Sequence, residues 1–228
     1  MTDCTEQAEG PLAEVRRKVA AAAAASGRPA SAVTLIAVSK SQPTHAIAAV
    51  LDRGQRIFGE NYVQEAAGRW PELRQRYAGV ELHMIGALQS NKAAQAVGLF
   101  DVIQTVDRER LADAIAREVA RQGRHPRLFI QVNTGDESQK AGVAPARLEV
   151  LVRHCASLSL RVDGLMAIPP AGEEVTPHVV LLRDLAREHG LAAISCGMSA
   201  DFEAAILAGA THVRVGSAIF GARPTKHA

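Results

Sequence analysis

The sequence contains few cysteines and few aromatic residues, and each scarcity excludes a class of protein. Its three cysteines, Cys4, Cys155 and Cys196, are odd in number and lie far apart. They therefore support neither a disulfide framework nor a zinc site. Aromatic residues make up only 4% of the chain, which leaves little material for the stacking platforms that bind nucleic-acid bases.

Net charge and long apolar runs are also lacking. With 26 basic and 24 acidic residues the net charge is +2, which gives no global attraction to nucleic acid or to an anionic membrane. The longest apolar run, residues 19–25, is mostly alanine and is far too short to cross a bilayer. The first residues do not show the apolar core of a signal peptide. We therefore expect a cytoplasmic protein that binds neither nucleic acid nor membrane.

The chain instead alternates runs rich in Val, Ile and Leu with amphipathic stretches. Eight strands are predicted, at 33–39, 56–58, 81–86, 101–105, 127–133, 161–168, 191–196 and 211–215. Helices are predicted at about 11–27, 43–53, 61–77, 90–98, 107–122, 144–157, 176–189 and 200–208. This alternation favours a parallel sheet, and eight units favour a closed (β/α)8 barrel of the α/β class over an open sheet. No linker divides the chain, so we predict one domain over residues 1–228, with 1–10 as a flexible extension.

Barrels of this kind carry their chemistry at the carboxyl ends of the strands, and polar residues collect there in this sequence. Lys40 ends the first predicted strand, and Asn61 follows the second. The later strands contribute a further set at or near their ends: His83, Met166, Ser195, Gly197, Arg214, Gly216 and Ser217. These stretches are therefore expected to converge on one mouth.

Two loops near the end of the chain suggest an anion site. The segments "SCGMS" at 195–199 and "RVGS" at 214–217 combine serine hydroxyls with glycines that let a ligand approach the backbone. Taken singly, each is explained as well by a turn, with Ser199 capping the next helix. Two such loops after consecutive strands favour a phosphate, which barrels often bind at that place.

Arg214 and Lys40 each allow more than one interpretation. Arg214 alternates with Val213 and Val215, which could direct it into the barrel. It is either a structural ion-pair partner, or an arginine that reaches the surface, or a donor to a ring nitrogen or phosphate. Lys40 is either exposed, or paired with a phosphate, or a nucleophile. Burial beside a cation would lower its pKa from about 10.4, and a neutral amine opposite a phosphate site suits an aldehyde-bearing phosphorylated cofactor.

Five segments carry a family resemblance: "AVSKSQP", "FGENYVQE", "HMIGALQSNK", "GLMAIP" and "GMSADFEAAILAGATHVRVGSAIFGAR". In their order and over about residues 12–223, they resemble the signature segments of the pyridoxal phosphate homeostasis protein family. The resemblance implies a fold-type III barrel, like the N-terminal domain of alanine racemase, that carries pyridoxal 5′-phosphate (PLP) as a Schiff base on Lys40.

The same resemblance implies which residues bind PLP. The phosphate would lie on Ser195, Gly197, Met198 and Ser199 from one loop and on Gly216 and Ser217 from the next, with Arg214 near the ring. Asn61 and His83 would line the cavity, and Met166 near the end of the sixth strand belongs to the same set.

Two functional classes remain open within this family. Racemases of this fold type use a second base, commonly a tyrosine from a second, mostly β domain, which we do not expect in a sequence that ends at Ala228. The favoured interpretation is a monomeric carrier of PLP that serves vitamin B6 homeostasis, meets PLP-dependent apoenzymes transiently and has no substantial catalysis. The alternatives are a weak PLP-dependent amino-acid racemase or lyase and, outside PLP chemistry, a phosphosugar-binding barrel enzyme.

Overall fold

The computed structural model describes residues 10–135 and 140–221 and shows the closed parallel barrel that the sequence predicts. Each strand pairs with the next, and β8 pairs with β1 to close the ring. The strands are β1 Thr34–Val38, β2 Ile57–Glu60, β3 Glu81–Met84, β4 Val102–Val106, β5 Arg127–Gln131, β6 Val162–Met166, β7 Ala193–Ser195 and β8 His212–Val215. All eight lie within or overlap the predicted runs. The flexible extension expected over 1–10 falls, apart from Gly10, outside the described residues.

The helices surround the barrel and bury their apolar faces against it. They are α1 Pro11–Ala25, α2 Thr44–Asp52, α3 Val63–Ala67, α4 Trp70–Arg76, α5 Ala93–Leu99, α6 Glu109–Gln122, α7 Leu148–Ser157, α8 Val175–Glu188, α9 Phe202–Ala208 and α10 Ser217–Phe220. Short 3₁₀ turns cover Ala30–Ala32, Ser90–Lys92 and Pro145–Arg147. The first helix packs against α9 and α10, so the two ends of the described chain lie side by side in the outer ring. Across the described ranges, no helix is long and apolar enough to cross a membrane.

One predicted helix, at 61–77, is in fact two. Tyr62 is extended, α3 ends at Ala67, and α4 starts afresh at Trp70 with Pro71 in its first turn. Proline lacks an N–H group and its ring clashes with the carbonyl of the residue four places earlier, so it suits the start of a helix and not its interior. The break turns Arg69 toward the end of β1, where it donates to the carbonyl oxygens of Ser39 and Gln42.

The barrel interior is filled by both apolar and polar side chains. Val102, Phe129 and Met166 form a small apolar cluster. The ring of His212 packs edge-on against Phe129 at 5.1 Å between ring centroids and lies 6.4 Å from the ring of His83. Burial is the main cause that lowers the pKa of His212 to about 3, and the neighbouring His83 and Arg127 lower it further.

We expect His212 to make the apoprotein less stable in acid. Below the ordinary pKa of 6.5, this imidazole is protonated in the unfolded chain but stays neutral in the folded protein until about pH 3. The folded state therefore loses stability relative to the unfolded state as pH falls from 6.5 toward 3. This one group should lower the free energy of unfolding by about 2 kcal/mol between about pH 7 and about pH 5. Denaturant unfolding at the two pH values measures the loss, and His212→Asn should reduce it.

The exposed imidazole of His45 provides the matched control. His45→Asn removes a solvent-exposed imidazole, so it shows whether the loss of any histidine has the same effect. An unchanged pH dependence in His212→Asn would contradict this account of the barrel interior.

Candidate functional site

A cavity of about 300 Å³ opens at the carboxyl ends of the strands. Its walls come mainly from β1, β8 and the segments that follow these two strands. The loops after β2, β3, β6 and β7 contribute the rest. The lining residues are Val38, Lys40, Gln42, Asn61, Ile85, Ile168, Met198, Ser199, Ala200, Arg214, Gly216, Ser217 and Gly221. Seven of the eleven residues chosen from the sequence are therefore brought together: Lys40, Asn61, Met198, Ser199, Arg214, Gly216 and Ser217.

The pairing of β1 with β8 explains how residues so distant in sequence meet. Ile36 is in register with Arg214 and Ala37 with Val215. The chain leaves both strands at the same edge, so Lys40 and Ser217 emerge side by side. The structure thus brings the first and last of the predicted stretches to one mouth, where the sequence predicts that all of them meet.

Lys40 lies in a tight turn at the end of β1. The amide of Gln42 donates to the carbonyl oxygen of Ser39 at 3.1 Å, which closes a four-residue turn with Lys40 and Ser41 at its centre. Ser41 has a φ of 60°, a left-handed conformation that is costly for a residue other than glycine. Such strain persists only where surrounding contacts hold the backbone in place.

The contacts that hold this turn come from a buried glutamate that the sequence analysis did not single out. Glu60, at the end of β2, is fully buried. Its carboxylate accepts hydrogen bonds from the hydroxyl of Ser39 at 2.6 Å, from the guanidinium of Arg69 at 2.8 Å and from the indole N–H of Trp70 at 2.9 Å. Glu60 falls within the quoted segment "FGEN", but a lone acidic residue at a strand end gives no sequence signal of burial.

The last two loops form the polar side of the cavity. The hydroxyl oxygen of Ser199 accepts from the backbone amides of Gly216 at 3.1 Å and Ala218 at 3.4 Å, which joins the two loops directly. Asp201 fixes the first loop by accepting from the amide of Met198 at 2.6 Å. The Ser199 hydroxyl, which accepts both of these bonds, still has its own hydrogen to donate to an anionic ligand.

Arg214 brings a buried positive charge to the cavity. Its guanidinium donates to the hydroxyl of Ser195 and to the carbonyl oxygen of Ala167, both at 2.8 Å. Burial lowers its pKa, against an opposing effect of nearby groups that include Asp201, and the hydrogen bonds of its guanidinium given above go to neutral groups. A buried cation held only by neutral partners favours a ligand that is anionic or accepts hydrogen bonds.

Asn61 lines the same cavity and has a buried polar atom in its side chain. Its Oδ1 atom is buried and has no hydrogen-bond partner among the residues that the structure describes. Gly86 holds Asn61 there by close packing, because a Cβ atom on Gly86 would lie 2.2 Å from the backbone oxygen of Asn61. A buried polar group without a partner is costly, and the close packing of Asn61 against Gly86 keeps this atom in place despite that cost.

His83 and Ser195 do not line the cavity, contrary to expectation. The ring of His83 is buried in the barrel, with Nε2 2.6 Å from Glu81 and Nδ1 2.8 Å from the amide nitrogen of Gln104. Ser195 donates to the side-chain oxygen of Gln104 at 2.7 Å and accepts from Arg214. Both side chains therefore form their hydrogen bonds inside the barrel. Ser195 contacts Arg214 directly, and His83 is linked to Ser195 through Gln104.

Met166 and Gly197 also lie outside the cavity wall. Met166 belongs to the apolar cluster of the barrel interior. Gly197 has a φ of 98°, and a Cβ atom there would lie 2.6 Å from the Cβ atom of Ala205. Glycine is thus required at position 197 by the turn and by the close approach of α9.

Comparison with known proteins gives a consistent result. The family model described as alanine racemase, N-terminal domain, matches residues 12–224. The pyridoxal phosphate homeostasis protein of Escherichia coli strain K12 is 42% identical over 222 residues, which cover 93% of this chain and 95% of that protein. Its counterpart from Pseudomonas aeruginosa is 41% identical over 219 residues, 93% of this chain and 94% of that protein.

A solved structure has the same fold. PipY of Synechococcus elongatus, in a crystal form with PLP bound, superposes with a TM-score of 0.78 at 36% identity, over 91% of this chain and 100% of that one. The barrel, the order of its motifs and the similarity over nearly the whole length agree. The chain belongs to the pyridoxal phosphate homeostasis protein family and has the barrel fold of the alanine racemase N-terminal domain.

Proposed function

We propose that this protein binds PLP through a Schiff base on Lys40 and acts as a monomeric cytoplasmic carrier that buffers the cofactor. The observation that carries the proposal is the cavity in which Lys40 meets Arg214, Ser199 and Ser217. Relatives with the homeostasis name and the PLP-bound PipY structure support the choice of ligand.

The residues of the cavity match the chemical groups of PLP. PLP supplies an aldehyde that condenses with amines, a phosphate, and a pyridine nitrogen. Ser199, Gly216 and Ser217 would hold the phosphate, with Met198 beside them. Arg214 would face the ring nitrogen, and Asn61 would line the wall of the cavity beside the ligand.

Lys40 would form the covalent link. PLP would supply an aldehyde that condenses with an amine and releases one water molecule, and Lys40 would provide that amine. The reaction needs no oxidant or reductant and is reversible by water or by another amine. A carrier requires such reversibility, because the ligand must be released to PLP-dependent apoenzymes that meet the protein transiently.

Arg214 favours storage over turnover. A guanidinium donates hydrogen bonds but does not give up a proton near neutral pH, so a ring nitrogen facing it stays unprotonated. An unprotonated pyridine withdraws electrons weakly, which disfavours the carbanion chemistry of racemases and lyases. Racemases of this fold use a similar arginine, so this contact alone does not separate a carrier from an enzyme.

The positions of the tyrosines add a second argument against racemisation. Tyr62 is 60% exposed, and Tyr77 donates to Asp52 at 2.8 Å on the outer surface. Neither of these two tyrosines lines the cavity in the described structure. A racemase needs a second base on the face opposite the lysine, and the cavity walls named above do not include a tyrosine for that role.

Trapping the C=N bond tests the covalent link. After incubation with PLP and reduction by borohydride, peptide mass mapping should find the pyridoxyl adduct on Lys40. Lys40→Ala should abolish it and weaken PLP binding about tenfold or more, since it removes a covalent contact. Lys40→Arg keeps the charge and should also give no adduct. Binding of a phosphosugar with no adduct on Lys40 would instead favour a phosphosugar enzyme.

A glycine substitution tests the role of Asn61. Gly86→Ala should displace the Asn61 backbone, lower the free energy of unfolding by about 1–3 kcal/mol through overpacking, and weaken PLP binding. Gly68→Ala is the matched control, because a Cβ atom there meets only ordinary contacts 3.6 Å away and the backbone is already helical. Titration with PLP should show weaker binding in Gly86→Ala and unchanged binding in Gly68→Ala. Equal PLP affinity in both variants would show that the position of Asn61 does not matter for PLP binding.

Turnover assays separate the carrier from a weak enzyme. The PLP-loaded protein, incubated with a panel of L-amino acids, should produce neither D-enantiomers nor elimination products above the rate given by free PLP. Robust racemisation or lyase activity that disappears in Lys40→Ala would overturn the carrier interpretation.

A further inference from the structure

The turn that carries Lys40 is held on both sides by side chains from one buried cluster. On the amino side, Ser39 donates its hydroxyl to Glu60 at 2.6 Å and its carbonyl oxygen accepts from Arg69 at 3.1 Å. On the carboxyl side, the carbonyl oxygen of Gln42 accepts from the same guanidinium at 2.7 Å. Between them, the amide of Ser41 lies 3.4 Å from the carboxylate of Glu65. A single arginine thus bridges the first and last residues of the turn.

The cluster itself is built to be rigid. The carboxylate of Glu60 is fully buried, and the side chain of Arg69 is 11% exposed. Both oxygens of the glutamate lie 2.8 Å from one guanidinium nitrogen of Arg69, and Trp70 adds a third donor from the same helix start. Buried charge-assisted hydrogen bonds are strong and directional, so the cluster determines where the backbone of Ser39 and Gln42 lies.

The strained residue indicates why such rigidity is needed. Ser41 has a left-handed backbone although serine gains nothing from that conformation by itself. Without the contacts at Ser39 and Gln42, the turn would relax toward a right-handed or extended form. Lys40 precedes Ser41 directly, so a change at Ser41 would redirect the lysine at the edge of the cavity.

We propose that Glu60 and Arg69 are positioning residues that hold the Ser39–Gln42 turn in its strained form and thereby direct Lys40 toward the aldehyde of the ligand. Neither residue lines the cavity. The proposal rests on the proposed function, since it concerns how readily the C=N bond between Lys40 and PLP forms.

Two variants test the cluster at different strengths. Ser39→Ala removes one hydrogen bond and leaves the Glu60–Arg69 pair intact, so it should fold normally. Arg69→Ala releases both carbonyl oxygens of the turn. The visible absorption of the C=N bond and the rate of borohydride trapping on Lys40 should fall about fivefold or more in Ser39→Ala, and further in Arg69→Ala.

Binding of a ligand without the aldehyde separates positioning from general damage. Pyridoxine 5′-phosphate has the same ring and phosphate but cannot condense with an amine. Its affinity should stay within about twofold of the unsubstituted protein in Ser39→Ala, because the phosphate loops and Arg214 are untouched. A merely structural role of the cluster would weaken both ligands together.

Arg74 provides a matched control on the same helix. It donates to the carbonyl oxygen of Leu99 at 2.8 Å and forms an ion pair with Asp101, just before β4 at the opposite end of the barrel. Arg74→Ala should cost stability, as Arg69→Ala does, yet leave C=N formation unchanged.

The outcomes distinguish the two proposals. If the unsubstituted protein gives no adduct on Lys40, the proposed function itself fails. If it gives the adduct and Ser39→Ala forms it equally fast, or if Arg74→Ala slows it as much as Arg69→Ala does, the positioning role is wrong. Should Arg69→Ala fail to fold, Ser39→Ala with the two ligands still decides the matter.

Discussion

The pairing of β8 with β1 is the interaction on which the site depends. Four residue pairs, from Thr34 with His212 to Ala37 with Val215, close the ring and set the register between the two strands. A shift of one residue would exchange the inner and outer faces of β8 and move Arg214 out of the barrel. The amine, the cation and the hydroxyl-lined loops share one cavity only because this register holds.

Behind the cavity, a continuous series of hydrogen bonds runs through the barrel. Arg214 donates to Ser195, Ser195 donates to Gln104, and the amide of Gln104 donates to Nδ1 of His83. The other ring nitrogen of His83 then donates to Glu81, and this hydrogen bond is the main cause that lowers the pKa of the carboxyl to about 2. Burial lowers the pKa of His83 itself, which agrees with a neutral ring that accepts at Nδ1. The buried guanidinium is thus oriented through neutral groups and not by an adjacent acid.

The sequence predicts the barrel and the mouth but not the depth of each side chain. Periodicity shows that His83, Met166 and Ser195 point inward, since alternate residues of a strand share a face. It does not show which layer of the interior they occupy, and these three lie below the cavity. Glu60 and Arg69 could not be paired from sequence, because their contact depends on where the helix after β2 breaks. The nearest signal is Pro71 shortly after Gly68, which indicates a helix start within the predicted helix.

Barrel closure also has a consequence during synthesis on the ribosome. Lys40 leaves the exit tunnel long before the residues from Arg214 to Ser217 that line the same cavity. A nascent chain therefore exposes an ordinary surface amine and no pocket until the final strand docks. A ligand that contacted both strands would stabilise the docked state by mass action. Under the proposed function, binding of the cofactor and completion of the barrel would then be thermodynamically coupled.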